Sequence, residues 1–271
     1  MEYAVIVICF LIILTVIQNN IPVVKKIKIQ NPELKGIRII QLSDLHRKKF
    51  GSLNSHLVRK IKKLSPSLIM MTGDMVSRQG TDMIPLEFLM SSCSRICPVY
   101  YCLGNHETDM DRQDYRHLMG IVRKSNVILL KNQSADIEID GVNLHITGLC
   151  FSRANFRNAE GGFTGLKPYL INDINDAVGV KDNCFTILLA HNPLYFDTYA
   201  SWGAELVLSG HVHGGIVRLP LAGGLLSPER KLFPKYSAGI YRKDNTIMYV
   251  NSGLGKFRFL NPPEITLIEF E

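Results

Sequence analysis

Cysteine is scarce in this chain, six in 271 residues, and no two of them form a CxxC pair; Cys93 and Cys97 in SSCSRICP stand four apart. That spacing excludes a zinc ribbon and a disulfide framework, and the thiols read as the reduced side chains of a cytosolic domain. Internal repeats and low-complexity tracts are absent as well, which excludes a repeat architecture. Basic residues are missing ahead of the long apolar run YAVIVICFLIILTVI (3–17), and no A-x-A pattern follows it. Both absences argue against a cleaved signal peptide, so residues 1–24 read as an uncleaved N-terminal membrane anchor. The run is slightly shorter than the roughly 17–25 residues of a spanning helix, and Ile21, Val23 and Val24 extend it. Lys25, Lys26 and Lys28 follow, and the positive-inside rule then predicts a single-pass protein of the cell membrane with its body in the cytoplasm, an extracytoplasmic body being the alternative.

What is present points to one globular domain over residues 25–271. Hydrophobic residues make up 46% and charged residues 20% of the sequence, enough apolar material for a substantial core. The net charge of +7 is concentrated near the anchor, where twelve Lys or Arg between Lys25 and Lys63 face only Glu33 and Asp44. Such a segment suits anionic lipid headgroups, and it equally suits a solvated helix face in LVRKIKKL. Strand-length apolar runs then recur: IRIIQL, SLIMMT, VYYCL, NVILL, VNLHIT, FTILLA, AELVLS and TIMYV. Their continuity predicts strands buried on both faces, as in α/β folds. Leu53, Leu57, Val58, Ile61 and Leu64 share one helical face between the first two runs, so the segment reads as strand, helix, strand. Asp140-Gly141 predicts a hairpin, which adds antiparallel strands to a parallel core. Two long polar or Pro/Gly-rich segments, 150–168 and 217–239, are candidate functional loops.

The chemistry lies where the apolar runs stop. IRIIQL leads into Asp44 and His46, SLIMMT into Asp74, and VYYCL into Asn105, His106 and Glu107. FTILLA leads into His191, and AELVLS into His211 and His213. Taken singly, Asp44 reads as a helix cap, Gly73-Asp74 as a common turn and His191 as a satisfied core histidine. Two histidines in the tight glycine turn GHVHGG have few structural uses. Ligands of α/β sheets gather beyond the carboxyl ends of the strands, so these scattered residues converge in space. Imidazole, carboxylate and amide oxygen together suit Mn, Fe or Zn, and seven candidate ligands are too many for one tetrahedral ion. Two ions sharing a carboxylate follow, with Asp74 as the natural bridge.

In these motifs the sequence resembles the calcineurin-like metallophosphoesterases, in particular a bacterial branch whose members carry an N-terminal anchor. The resemblance covers residues 36–271. It implies a four-layer α/β/β/α sandwich of two mixed sheets, preceded here by one hydrophobic helix. It also implies two divalent ions, with Mn favoured: Asp44, His46, Asp74 and His213 would hold one, and Asp74, Asn105, His191 and His211 the other. His106 would reach the substrate as acid or charge partner, a hydroxide bridging the ions would attack phosphorus, and Glu107 would support the ligands from behind. Relatives have GHTHGGQ where this chain has GHVHGGI, so Ile216 removes a polar group near the rim.

The expected reaction is hydrolysis of a phosphodiester or pyrophosphate, with a lipid- or envelope-linked substrate suggested by the anchor; the sharpest version is a UDP-diacylglucosamine pyrophosphatase. Arg153, Arg157, Arg230, Lys231 and Lys235 lie in the long loops and are candidates to grip a second phosphate. The competing readings are a membrane-tethered scaffold that keeps the metal site, a phosphomonoesterase or protein phosphatase, and a nuclease, with nucleic acid the disfavoured partner.

Overall fold

A computed structural model describes residues 2–80, 82–162, 164–182, 184–215, 217–219, 223–226, 234–255, 258–259 and 261–271. Its helices are α1 (Glu2–Asn20), α2 (Ser55–Lys63), α3 (Ile84–Ser94), α4 (Asn105–Thr108), α5 (Arg112–Lys124), α6 (Ile171–Val178) and α7 (Phe196–Trp202). The strands are β1 (Val23–Ile29), β2 (Arg38–Leu42), β3 (Leu68–Thr72), β4 (Val99–Cys102), β5 (Ile128–Leu129), β6 (Gln133–Ile139) and β7 (Val142–Leu149). They continue with β8 (Thr186–Ala190), β9 (Leu206–Ser209), β10 (Val217–Leu219), β11 (Gly223–Leu226), β12 (Gly239–Lys243), β13 (Thr246–Val250) and β14 (Glu264–Phe270).

Two mixed sheets carry the molecule. One runs β1-β14-β2-β3-β4-β5 and the other β12-β13-β9-β8-β7-β6, with β10 and β11 as a separate ribbon. β2, β3, β4 and β5 are mutually parallel, as are β7, β8, β9 and β13. The central strands β3, β8 and β9 are buried at every position, which is why they read as unbroken apolar runs. Asp140 and Gly141 both take positive φ (51° and 81°), closing the β6–β7 hairpin with Ile139 opposite Val142.

Three apolar clusters separate the layers. Between the sheets lie Ile39, Met70, Tyr100 and Ile268 from one side and Ile146, Ile187, Leu189 and Leu208 from the other. α2, α3 and α5 cover the outer face of the first sheet through Leu57, Ile61, Leu86, Leu89, Leu118 and Ile121. α6 and α7 cover the second through Ile174, Phe196 and Tyr199. Helix, sheet, sheet and helix are thus stacked in that order. Leu53 departs from its expected place: it precedes α2 in a 3-10 turn at φ 50° and is exposed. All six cysteines are free.

Among the described residues no helix is long and apolar enough to cross a membrane, so a transmembrane anchor over residues 1–24 is not established. α1 itself is helical for 19 residues, but its last turns are packed on the folded domain, where Thr15 and Asn19 are buried. A bilayer core takes about 20 residues of apolar helix, and a face held against protein is withheld from lipid. The opposite face leaves Tyr3, Ile6, Phe10, Ile13 and Ile17 exposed. The cytoplasmic orientation depends on a spanning segment and is likewise not established.

Leu189 is fully buried between the sheets. Leu189→Ala is expected to destabilise the protein by about 2–5 kcal/mol, read as a lowered midpoint in urea denaturation with unchanged slope.

Candidate metal centre

Every chemical group singled out at a strand end lies at one edge of the two packed sheets. Asp44 and His46 follow β2, Asp74 follows β3, and Asn105 opens α4 just after β4. His191 follows β8, and His211 and His213 follow β9. The ligand atoms of Asp44, His46 and His213 lie within 4.8 Å of one another, as do those of Asp74, His191 and His211. A third such group, His46, Asp74 and His106, joins them, so Asp74 stands between the two clusters. His213 Nδ1 is 3.4 Å from Asp44 Oδ1, and His191 Nε2 is 3.3 Å from Asp74 Oδ2 and 3.9 Å from Asp44 Oδ1.

The backbone at these positions is unusual. Asp44, His46, Asp74, His211 and His213 have φ of 54°, 53°, 52°, 71° and 54°. The left-handed region costs a non-glycine residue roughly 1–2 kcal/mol. Here it turns successive side chains toward one cavity as each strand ends. Hydrogen bonds between the strand-end loops hold the turns: Asp44 N donates to Gly73 O at 3.0 Å and His46 N to Asp74 O at 3.1 Å. Two glycines let the loops approach. A Cβ on Gly104 would collide with the Asp74 carboxylate and come within 2.6 Å of its amide nitrogen, and one on Gly210 would collide with Ser43 and Asp44.

Glu107 is the clamp behind Asp74. Its fully buried carboxylate accepts from the backbone nitrogens of Asp74 (2.9 Å), Met75 (2.7 Å), Val76 (3.3 Å) and Gly104 (2.8 Å), and from Tyr101 Oη (2.7 Å). All its lone pairs are thereby turned away from the cavity, so it supports the site without entering it. Burial, and next the nearby Asp74, push its pKa up to about 7.

The remaining electrostatics follow from burying acids beside bases. Burial raises Asp44 above the usual carboxylate range, against the pull of His191. Burial also acts to raise Asp74, but His191, His106 and His46 outweigh it and hold Asp74 well below that range. Burial would lower His191, yet Asp74 by charge and hydrogen bond, then Asp44, raise it to about 10. His191 Nδ1 lies 2.7 Å from Thr72 O and donates to it, so the proton given up when the ring becomes neutral is the one on Nε2, the nitrogen facing the carboxylates. His106 is fixed in the other tautomer: its Nδ1 accepts from Arg78 N at 3.2 Å, so Nε2 carries the proton, 3.9 Å from Asp74 Oδ2.

The donor set fits divalent cations. Oxygen and imidazole nitrogen atoms of largely buried residues converge, and the buried Asn105 Oδ1 has no hydrogen-bond partner among the described residues, which is anomalous for an amide unless something else takes its lone pair. Of the residues proposed to grip a second phosphate, Arg153 is exposed in a 3-10 turn (Arg153–Asn155) and Arg157 is half-buried two residues past it. Lys235 is engaged elsewhere, 3.5 Å from Asp197. Arg230, Lys231 and Ile216 lie outside the described residues. Sequence reasoning missed Phe156, whose ring centroid stands 4.9 Å from that of His211 and 6.1 Å from that of His191, walling the site. It also missed Tyr101, Ser43, Arg78 and Arg258, none of which carries a local signal.

Comparison with known proteins agrees with this picture. The sequence profile described as calcineurin-like phosphoesterase matches residues 37–215. The UDP-2,3-diacylglucosamine pyrophosphatase LpxG of Chlamydia trachomatis serovar D is 27% identical, over 87% of this chain and 84% of that protein. The uncharacterized metallophosphoesterase YkuE of Bacillus subtilis is 29% identical over 86% and 78%, and the phosphodiesterase YaeI of Escherichia coli 26% over 86% and 81%. Among solved structures, the sulfate thiohydrolase SoxB of Thermus thermophilus superposes with a TM-score of 0.51 at 14% identity, over 89% of this chain and 58% of that one, a likeness of fold.

Two outcomes are expected. Because His191 sits near a pKa of about 10 and must be neutral to ligate, divalent metal binding at pH 7 should release about one proton from it, and affinity should rise with pH. Calorimetric titration with Mn²⁺ in buffers of different ionisation enthalpy reads the release. Above about pH 8, where its carboxylate is ionised, Glu107→Gln replaces an acceptor-only group by one whose NH₂ faces backbone N–H donors, and should lower stability by about 2–4 kcal/mol, measured by thermal unfolding of the metal-free protein.

Proposed function

The chain belongs to the calcineurin-like phosphoesterases and is a metal-dependent phosphoric ester hydrolase; from that premise we propose that it cleaves a phosphodiester or pyrophosphate bond in a lipid-linked substrate. The observation that carries the reading is the convergence of Asp44, His46, Asp74, His106, His191, His211 and His213 in overlapping groups, with the buried Asn105 next to His106 in the chain. Asp44, His46, Asp74 and His213 would hold one cation, and Asp74, Asn105, His191 and His211 the other, Mn²⁺ being our choice of metal. Two bound cations would polarise the phosphoryl group and make water a nucleophile at neutral pH. The residues of the chain do the rest. His106, its Nε2 proton aimed over the site, donates to the oxygen that leaves phosphorus. Asp74, kept ionised, balances cation charge between the clusters. Phe156 excludes water from the His191 and His211 side.

What supports a lipid-linked substrate is the place of α1. Its last turn touches the loop that carries His46, where Asn20 Oδ1 accepts from Lys48 Nζ at 2.8 Å, and the loop between β13 and β14, where Asn19 bonds the backbone of Arg258. The exposed apolar face of α1 lies against the lipid, so the site opens near the headgroup layer. Attachment to the membrane surface through α1 and the basic residues after it is part of the same proposal. The names of the pyrophosphatase and phosphodiesterase relatives agree with the bond type.

The test compares bis-p-nitrophenyl phosphate with p-nitrophenyl phosphate, using full-length protein in detergent, metal-free and with Mn²⁺. Diester turnover should appear only with Mn²⁺ and exceed monoester turnover; Asp74→Ala should abolish it, and His106→Ala should lower kcat about 10²–10⁴-fold. Preferred monoester cleavage would sink the bond assignment. Equal kcat/KM for a nucleoside diphosphate with and without an acyl-chain-bearing group would sink the lipid assignment.

A further inference from the structure

Asn19 stands out on α1. On a helix of apolar side chains it is a buried amide, 3% exposed. Its Nδ2 donates to Arg258 O at 2.7 Å, and to Thr15 O at 2.8 Å within the helix, while its Oδ1 accepts from Arg258 N at 3.0 Å. One side chain thus satisfies both backbone polar groups of a residue far along the sequence. Apolar docking tolerates sliding; a desolvated pair of hydrogen bonds fixes position to a few tenths of an ångström.

Arg258 carries that position onward. It is 1% exposed, and its guanidinium donates to His213 O and Gly253 O, each at 2.9 Å, and to Ser252 O. Asn261 Nδ2 also donates to His213 O, at 2.7 Å. His213 is one of the residues held at positive φ, 54°, with its Nδ1 3.4 Å from Asp44 Oδ1. Its strained peptide is therefore restrained at the carbonyl by Arg258 and Asn261, and Arg258 is itself held by Asn19. Burial pushes the Arg258 pKa down to about 10, against Asp44 and Glu264; a guanidinium placed so deep among carbonyls serves geometry rather than solvent.

We propose that Asn19 is a positioning residue of the metal centre, acting through Arg258 to set the backbone of His213, so that the N-terminal helix is a working part of the ligand geometry as well as an attachment device. The inference rests on the metal-centre reading above.

Mn²⁺ binding to the full-length chain in detergent micelles tests it, by calorimetry and by the exchange-coupled EPR signal of adjacent ions. The variants are Asn19→Ala and Arg258→Lys, with Asn143→Ala as control, an exposed amide at the start of β7. Partners behind metal ligands are worth roughly 10–100-fold in affinity. Asn19→Ala should weaken one of the two Mn²⁺ sites about tenfold, delay the coupled signal to higher Mn²⁺ and leave the other site unchanged. At saturating Mn²⁺ its kcat should recover with KM unaltered, and Asn143→Ala should match the wild type throughout. If Arg258→Lys fails to fold, as judged by thermal unfolding, Asn19→Ala alone decides. Wild-type affinity at both sites in Asn19→Ala overturns the proposal. A wild type that binds no Mn²⁺ pair overturns the metal-centre reading and this inference with it.

Discussion

Asp74 is an ionised group kept almost entirely from water, 1% exposed, and an isolated carboxylate so placed would be driven to its neutral form. What keeps it charged is a cage supplied by both sheets. His191 from β8 stands 3.3 Å away, His106 presents its backbone amide at 2.7 Å, and the loop of Asp74 is tied to Glu107 by three successive amides. The two sheets must therefore meet with their strand ends in register. The apolar layer between them, rich in Ile and Leu, fixes that meeting because close-packed side chains do not slide.

The same constraint accounts for the concentration of strain. Five ligand-bearing residues occupy the left-handed region, a conformation that persists only where surrounding structure over-determines it. Here the surroundings are the inter-loop hydrogen bonds and the glycines that permit them. Stability and chemistry thus pull against each other in one small volume, and the large cores on either side of each sheet offset the difference.

The sequence was legible where local pattern and chemistry coincide. Apolar runs fall within one or two residues of β2, β3, β4, β7, β8, β9 and β13, since strands buried on both faces need no alternation to be seen. The polar residue after each run was legible for the same reason: it ends the run. Long-range partnership was not. Arg258, Asn19 and Phe156 act through contacts to residues tens or hundreds of positions away, and none sits in a recognisable local setting. β14 escaped because nothing local marks it as the strand that separates β1 from β2. The N-terminal run was visible as apolar helix, but its docked face was not, because Thr15 and Asn19 are only polar interruptions until their partners are seen.

The position of β14 has a consequence for biosynthesis. It pairs in parallel with β1 and antiparallel with β2, so a strand made late lies between two made early. A ribosome-bound chain could bring β2, β3 and β4 together early, but β1 has no edge to join until residues 264–270 emerge, and Arg258 reaches α1 only at the same stage. Closure over such sequence separation is slow. During translation the apolar helix is exposed before Lys48 or Arg258 exists to meet it, so a lipid surface or a chaperone would meet it first, and the His213 carbonyl would gain its Arg258 partner only afterwards.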